Sequence, residues 1–399
     1  LLRIEDTDRQ RSEDKYTDQI LESLHWLGLD YDGVPIKQSS RNDRYQEVIK
    51  DLLESGLAYR CFSTDDELSD LRAKASSYLY PRIWRDRSQE DVNQKLKSNE
   101  LYTIRLRIPL EGQIKFKDII YGDIKTDCKE LDDFIIARSD GSPTYNFTVV
   151  VDDHDMKISH VIRGEDHISN TPKQILIYSA LGWEIPEFAH LPMILGSDGK
   201  RLSKRHGATG TQTYKELGYQ PETLINYLSL LGWNPGTDDE IFDIKYLIKN
   251  FSLDNVNKKA AVFDSKKLEW ISSQHIITKN PKELLNLIMS IQPEWGAADA
   301  TDEYLEMVVD NLKARSKSIL DIINQSGYFF NDPIEYDQGA IEKCWGEEAS
   351  HILKSYYEDI LKTLNWDDKL IDESMTKFVE SKSIGKGKLI QPLRVALTG

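Results

Sequence analysis

The chain has 399 residues, of which 39% are hydrophobic and 10% aromatic, and its formal net charge is −16. This acidity argues against a generic binder of polyanions, but a local basic face on an acidic protein can still bind nucleic acid. No apolar run approaches the roughly 20 residues that a membrane-spanning helix needs. The length predicts two to four domains with substantial cores.

The first part of the chain predicts a strand, two helices and then an insertion of mixed structure. Residues Leu1 to Ile4 are typical of a buried strand, and residues Ser12 to Leu27 have helical hydrophobic spacing. A second helix is predicted from about Arg44 to Leu57. From Cys61 the pattern changes to charged helical pieces and strands, which predicts a separate α+β insertion. Its predicted strands are Tyr102 to Ile108, Ile114 to Ile120 and Phe134 to Arg138.

The middle of the chain alternates between predicted strands and a helix, which is typical of a parallel, doubly wound sheet. The predicted elements are strands at Phe147 to Val151, Ile158 to Ile162 and His190 to Leu195, with a helix from Thr171 to Leu181 that Gly182 ends. Ligands bind such sheets at the carboxyl ends of the strands. Three polar clusters follow these strands, namely Asp152-Asp153, Arg163 to Asp166 and a basic loop, and together they predict an active site.

The basic loop, Gly199 to Gly207, has lysines and arginines between two glycines and includes Ser203. Such a loop can close over a polyphosphate and neutralise the charge that develops during phosphoryl or nucleotidyl transfer. A basic run alone is more often a solvated face or a loose nucleic-acid contact. Its position just after a predicted buried strand favours the phosphate-binding interpretation.

The second half of the chain is predicted to be mainly helical. A helix from Leu224 to Leu231 precedes Gly232, and a longer helical region begins at about Pro281. The helices predicted within that region are Lys282 to Ile291, Tyr304 to Leu320, His351 to Leu364 and Ser374 to Ser381.

The three cysteines, Cys61, Cys128 and Cys344, are far apart and odd in number. They form no C-x-x-C pair and show no metal-ligand spacing with the histidines, so we expect neither a disulfide framework nor a structural zinc. This use of cysteine predicts a reducing, cytoplasmic location.

Several ordered motifs resemble bacterial glutamyl-tRNA synthetase, a class I aminoacyl-tRNA synthetase. The matching segments span essentially the whole chain: Leu2 to Asp8, Pro143 to Phe147, Val150 to Asp153, His160 to His167, Asn170 to Pro172, Arg201 to Gly207, Asn226 to Leu228, Ala261 to Asp264 and Gln391 to Gly399. The resemblance implies an α/β Rossmann-type catalytic domain with a parallel sheet and an α+β insertion, followed by a mainly α-helical anticodon-binding region. It also implies ATP with Mg²⁺, L-glutamate and tRNA(Glu) as substrates, no membrane partner, and a monomer.

The same resemblance implies roles for individual residues. Lys204 is implied to be the principal ATP-binding lysine of the basic loop, with Arg201, Ser203 and Arg205 supporting it. Asp166 and His167 match positions that face the nucleotide. The alternative for Lys204 is a plain surface lysine.

Three further residues are implied to hold glutamate. Glu5 would bind the α-amino group, since a carboxylate is the natural partner of an ammonium; alternatively it complements a helix dipole. Arg163 would receive the side-chain carboxylate in two hydrogen bonds; alternatively it pairs with Glu165 or Asp166. Tyr145 could hydrogen-bond the substrate or only pack under the sheet.

The resemblance implies five segments, with a strand and a histidine-rich turn expected ahead of Leu1 and more anticodon domain beyond Gly399. The segments are 1–60 and 143–200 for the catalytic domain, 61–142 for an acceptor-stem insertion, 201–295 for the basic loop and a connecting domain, and 296–399 for the anticodon-binding domain. Without that strand and turn, the 399-residue chain itself could be inactive. Three alternatives stay open: a non-catalytic tRNA-binding fragment, a glutaminyl-tRNA synthetase, and a paralogue that glutamylates a tRNA base.

Overall fold

A computed structural model describes residues 1–7, 14–75, 79–203, 210–358 and 367–399, with the side chains of 72–75 and 368 left aside. The chain divides into two compact units. The first comprises residues 1–214 and 221–268, and the second comprises 215–220 and 269–399. Among the described residues, none of the helices combines the length and the hydropathy that crossing a bilayer requires. The five-segment division of the chain stays a prediction.

The first unit mixes short strands with helices. Its elements up to residue 142 are β1 (Arg3–Ile4), α1 (Asp14–Trp26), β2 (Ile36–Lys37), α2 (Asn42–Glu54), β3 (Ala58–Cys61), α3 (Asp65–Ala75), α4 (Gln89–Lys97), β4 (Thr103–Leu106), β5 (Gln113–Asp118), β6 (Gly122–Asp127) and β7 (Ile135–Ala137). They continue with α5 (Tyr145–Asp155), β8 (His160–Gly164), α6 (Thr171–Leu181), β9 (Glu187–Leu191), β10 (Ile194–Leu195), α7 (Thr211–Glu216), α8 (Pro221–Leu230), α9 (Ile244–Asn250) and β11 (Ala261–Val262).

Helix α10 (Ser265–Thr278) runs from the first unit into the second, and the described elements after it are helical. They are α11 (Pro281–Ile291), α12 (Asp302–Lys313), α13 (Ile319–Gln325), α14 (Gly327–Phe330), α15 (Gln338–Cys344), α16 (Ala349–Tyr356), α17 (Asp368–Ser381) and α18 (Lys386–Thr398). This helical second half agrees with the prediction.

A mixed four-stranded sheet, in the order β6-β5-β9-β8, organises the first unit. Strands β8 and β9 are parallel, as the alternation of strand and helix predicts, and β5 is parallel to β9. The β5–β6 hairpin, which lies within the predicted insertion, therefore extends the sheet of the catalytic segment. Separate smaller sheets are formed by β3-β4-β7, by β1-β2 and by β10-β11.

Helix α6 was predicted with its true boundaries. It runs from Thr171 to Leu181, and Gly182 ends it with a φ of 67° in the left-handed region. Glycine adopts that conformation without the steric cost of a Cβ atom, which is why it is common just beyond helices. Residues Ile175, Ile177 and Tyr178 of this helix lie in the main hydrophobic core of the unit.

The strand predicted at Phe147 to Val151 is wrong, because these residues belong to helix α5. All residues from Phe147 to Asp153 are buried, since the helix packs against both α2 and α6. A short apolar run that is buried on every side has no periodicity to separate a helix from a strand. Asp152 and Asp153 consequently lie inside a helix and do not follow a strand.

The single strand predicted at His190 to Leu195 is also wrong, because it is two strands in two sheets. β9 ends at Leu191 and pairs with β8, whereas β10 begins at Ile194 and pairs with β11. Pro192 lies between them, and proline has no N–H group to donate to a sheet.

The predicted first strand is shorter and less buried than expected. β1 contains only Arg3 and Ile4, and of the first four residues only Ile4 is buried, whereas Leu1 is largely exposed.

The long helix predicted from Tyr304 to Leu320 is interrupted. α12 ends at Lys313, and α13 begins at Ile319 after Ser318, whose hydroxyl accepts the backbone N–H of Asp321. Serine side chains that bond the backbone in this way favour helix starts over helix interiors. The predicted helix ends at Ser12 and Leu364 lie outside the described residues.

Candidate active site

Arg163 lies near the carboxyl end of β8, directly opposite His190 of the parallel strand β9. Side chains at paired positions of neighbouring strands point to the same face of a sheet. The Arg163 Nε atom accordingly lies 3.2 Å from His190 Nε2. The pairing of β8 with β9 therefore places Arg163 and His190 next to each other.

Helix α6 supplies further polar partners for Arg163. Nη2 of the arginine donates to Thr171 Oγ1 and to Gln174 Oε1, each at 2.8 Å. Thr171 and Gln174 are both buried and are three residues apart, so they share one face of the helix. Tyr178, one turn farther along, has a buried hydroxyl group with no hydrogen-bond partner among the described residues.

Arg163 is partly buried, yet no carboxylate in the described part of the chain pairs with it. The alternative partners weighed from the sequence are engaged elsewhere, because Glu165 bonds Tyr121 and the backbone N–H of Met193, and Asp166 pairs with Arg201. Burial lowers the pKa of the Arg163 guanidinium, and both Tyr145 and the negative charge of Asp153, which is itself paired with Arg3, oppose that shift. The site therefore holds a positive charge among neutral hydrogen-bond acceptors.

Tyr145 begins α5 and lies close to two residues of the motif from His160 to His167. Its hydroxyl lies 3.3 Å from His167 Nδ1, and it is close enough to Arg163 to affect the pKa of the guanidinium. Burial raises the pKa of this hydroxyl, and the negative charge of Glu5 raises it further. Tyr145, Arg163 and His167 therefore share one site, and Glu5 lies near it.

A buried network of charges holds Glu5 and α5 in place. Arg3 donates to Asp153 at 2.7 Å and also approaches Glu5, with 3.4 Å between Nη2 and Oε1. Burial raises the pKa of Asp153, although Arg3 opposes the shift. The Glu5 side chain is 44% exposed, so it remains accessible to a cationic ligand.

The neighbouring Asp152 is fully buried and anchors α5 to the region around α2. Its two carboxylate oxygens accept hydrogen bonds from Arg41 at 2.6 Å, from Gln38 at 2.7 Å and from the Tyr45 hydroxyl at about 2.9 to 3.0 Å. A buried carboxylate with this many donors is a structural anchor. Asp152 therefore supports the site and does not line it.

The basic loop is described only up to Ser203. Arg201 is 69% exposed and lies 3.3 Å from Asp166, a residue of the turn that directly follows β8. Arg201 also forms a bridge with Leu195 of β10, which fixes the start of the loop. Lys204 and Arg205 lie outside the described residues.

The described residues contain no group of three or more His, Cys, Asp or Glu side chains that could hold a metal ion. Cys61 and Cys128 are buried thiols, and Cys61 Sγ lies 3.3 Å from the Tyr80 hydroxyl. The expectation that the protein has no structural zinc stays a prediction.

Sequence reasoning missed several residues that line the site or lie behind it. They are Arg3, Asp118, Thr171, Gln174, Tyr178 and His190. The signal for three of them was present, because Thr171, Gln174 and Tyr178 recur at helical spacing within an otherwise apolar helix. Polar residues on a buried helix face need partners, and Arg163 is one such partner.

Comparison with known families covers most of the chain. Residues 1–270 match the family of class I tRNA synthetases (E and Q), catalytic domain, and residues 283–399 match the anticodon binding domain family.

Individual relatives match over the full length of the chain. A glutamate–tRNA ligase 2 of Bartonella quintana is 40% identical over 100% of this chain and 86% of its own length, and a glutamate–tRNA ligase of Syntrophotalea carbinolica is 44% identical over 100% and 85%. The crystal structure of a glutamate tRNA ligase from Elizabethkingia meningosepticum in complex with its amino acid has a TM-score of 0.88 and 33% identity, covering 99% of this chain and 86% of that one. The chain therefore belongs to the class I tRNA synthetases and, within them, to the glutamate–tRNA ligase family.

Proposed function

We propose that the protein is a glutamate–tRNA ligase, which activates L-glutamate with ATP and transfers it to the 3′ end of tRNA(Glu) for translation in the cytoplasm. Membership of the glutamate–tRNA ligase family supports this function. Within the chain, the function is supported most directly by the surroundings of Arg163. Its guanidinium is partly buried, and its described hydrogen-bond partners are all neutral.

Arg163 is proposed to bind the side-chain carboxylate of glutamate. A partly buried guanidinium without a carboxylate bonded to it is unfavourable, and a substrate carboxylate that accepts from the remaining nitrogen, Nη1, would neutralise it. Glutamine is uncharged and would leave that positive charge unpaired. This difference favours glutamate over glutamine as the substrate.

Glu5 and Tyr145 complete the proposed amino-acid site. Glu5 is accessible and would pair with the α-ammonium group, while the Tyr145 hydroxyl, next to Arg163, would contact the same carboxylate as the arginine. The two ends of the substrate would then be held by charges of opposite sign, which fixes its direction in the site.

The reaction proceeds in two steps. An oxygen of the glutamate α-carboxylate attacks the α-phosphorus of ATP, the bond to the bridging oxygen breaks, and pyrophosphate leaves with its electron pair. A terminal ribose hydroxyl of the tRNA then attacks the acyl carbon, loses its proton, and displaces AMP. Neither step needs a protein nucleophile, so the enzyme acts by positioning and by neutralising charge.

The basic loop is proposed to bind ATP. Lys204, with Arg201, Ser203 and Arg205, would neutralise the phosphates, and Asp166 and His167 would lie beside the nucleotide. Mg²⁺ would enter with ATP as part of the substrate, coordinated mainly by phosphate oxygens and water. Residues 61–142, 201–295 and 296–399 are proposed to bind the acceptor stem, the adjoining stem and the anticodon of a tRNA held by one monomer.

The test is tRNA-dependent formation of radiolabelled glutamyl-tRNA by the natural full-length protein, with ATP, glutamate and total bacterial tRNA. We expect charging with glutamate and little with glutamine. Charging with glutamine instead would assign the protein to the glutaminyl branch of its family. Binding of tRNA without charging of either amino acid would favour a non-catalytic tRNA-binding role and refute the proposal.

A further inference from the structure

Two buried side chains that do not line the proposed substrate site are connected to it through Arg163. Asp118 ends β5 and His190 lies in β9, and both are completely buried. His190 Nδ1 lies 2.6 Å from Asp118 Oδ2, and His190 Nε2 lies 3.2 Å from Arg163 Nε. The three side chains thus form a row across the neighbouring strands β5, β9 and β8.

Asp118 is held firmly by the backbone. Its Oδ1 accepts the N–H groups of Ile120 at 3.0 Å and Tyr121 at 2.8 Å, and its Oδ2 accepts the N–H group of His190 at 3.1 Å. A carboxylate with this many backbone donors has one fixed orientation. It therefore presents an acceptor, and no donor, to His190 Nδ1.

This acceptor decides which nitrogen of His190 carries the proton. A neutral imidazole has one donor and one acceptor nitrogen. Because Nδ1 faces the Asp118 carboxylate, Nδ1 carries the hydrogen and Nε2 is left as the acceptor. Nε2 faces the Arg163 Nε–H group and the Thr171 hydroxyl, at 3.2 and 3.1 Å. A proton on Nε2 would place two donors against each other.

Burial and the positive charge of Arg163 both lower the pKa of His190. Asp118 opposes this shift. The imidazole is therefore neutral at pH 7, as the hydrogen-bond pattern requires.

We propose that Asp118 and His190 are positioning residues for Arg163, which together set the direction in which the guanidinium meets the substrate carboxylate. The guanidinium donates its Nε–H group to His190 and its two Nη2–H groups to Thr171 and Gln174. The remaining nitrogen, Nη1, therefore faces away from these three residues. The guanidinium is planar, and fixing one edge fixes the other. This inference rests on the proposed function, because it assigns a task to the glutamate-binding arginine.

Two substitutions of His190 separate positioning from simple packing. In H190N the amide nitrogen can take the place of Nδ1 and bond Asp118, but nothing replaces the acceptor at Nε2. In H190Q the amide oxygen can reach the place of Nε2 and accept from Arg163. H160N, at an exposed histidine at the start of β8, is the matched control.

We expect H190N to raise the KM for glutamate on the order of 10- to 100-fold, because a misdirected guanidinium weakens substrate binding. The KM values for ATP and tRNA should stay near those of the wild type. H190Q should recover part of the glutamate KM, and H160N should leave it unchanged. A purely structural role of His190 would lower the melting temperature of H190N and H190Q alike without a selective effect on glutamate.

Folded H190N with an unchanged glutamate KM would overturn the proposal. If H190N does not fold, the ¹⁵N NMR spectrum of histidine-labelled wild-type protein decides the matter, since the proposal requires the tautomer with hydrogen on Nδ1. Failure of the wild type to form glutamyl-tRNA would refute the proposed function instead. In that case, calorimetry can measure the affinity of wild type and of H190N for glutamate without turnover. Equal affinities would refute the positioning role.

Discussion

Replacing Arg163 with alanine should weaken the use of glutamate strongly. The change removes the guanidinium that faces the substrate carboxylate and leaves three buried neutral groups, on His190, Thr171 and Gln174, without their donor. Truncating one partner of a buried, hydrogen-bonded charge pair costs about 2–5 kcal/mol. We therefore expect kcat/KM for glutamate to fall roughly 30- to 4,000-fold.

The assay for Arg163→Ala is the initial rate of glutamyl-tRNA formation as a function of glutamate concentration, at saturating ATP and tRNA. Arg394→Ala, at an exposed arginine of α18, is the matched control and should keep the wild-type value for glutamate. The tRNA affinity of Arg163→Ala should be unchanged in filter binding. A folded Arg163→Ala protein with the wild-type kcat and KM for glutamate would refute the assignment of Arg163.

Three further predictions concern the basic loop and the buried charges. Lys204→Ala should reduce the rate of tRNA-dependent pyrophosphate exchange far more than tRNA affinity, and an unchanged exchange rate would remove this lysine from the ATP site. Asp152→Asn should lower the free energy of unfolding by about 1–3 kcal/mol, because an amide nitrogen would replace one buried carboxylate oxygen and could not accept from Arg41, Gln38 or Tyr45; an unchanged urea midpoint would contradict the role of Asp152 as an anchor. Burial pushes the pKa of Asp155 up, but the hydrogen bonds from Arg44 and Arg41 outweigh it and hold the pKa below 3.8. The wild type should therefore be more stable than Asp155→Asn at pH 7, and this difference should shrink as the pH falls below 4 through the folded-state pKa; a difference that stays constant down to pH 2 would refute the pairing.

Local patterns were sufficient to predict the elements that have one polar and one apolar face or a clear terminus. Helix α6 was placed correctly because Gly182 ends it. The strand predicted at Ile158 to Ile162 was placed two residues early, since β8 runs from His160 to Gly164 and includes Arg163 of the polar cluster. Helix α5 was mistaken for a strand because its valines are buried on every side. The break at Pro192 was a readable signal, since proline does not continue a sheet.

From the sequence, individual residues of the candidate site could be proposed only where they lie in a motif of the family. Arg163, Tyr145 and His167 lie in such motifs, and the structure brings them together. Asp118 and His190 were missed because they are 72 residues apart, and their contact depends on the pairing of β5 with β9. No periodicity along a single chain predicts which strands become neighbours.

The pairing of β5 with β9 has a consequence for protein engineering. Exchanging residues 61–142 between relatives, as if they were an independent cassette, would replace the strand that covers one edge of β9 and would carry Asp118 along with it. A chimera with these crossover points would have to match the donor hairpin 113–127 to the recipient histidine. Crossovers that leave 113–127 with the recipient would keep the Asp118–His190 contact intact, and parts of the cassette outside that hairpin could then be recombined without disturbing the contact.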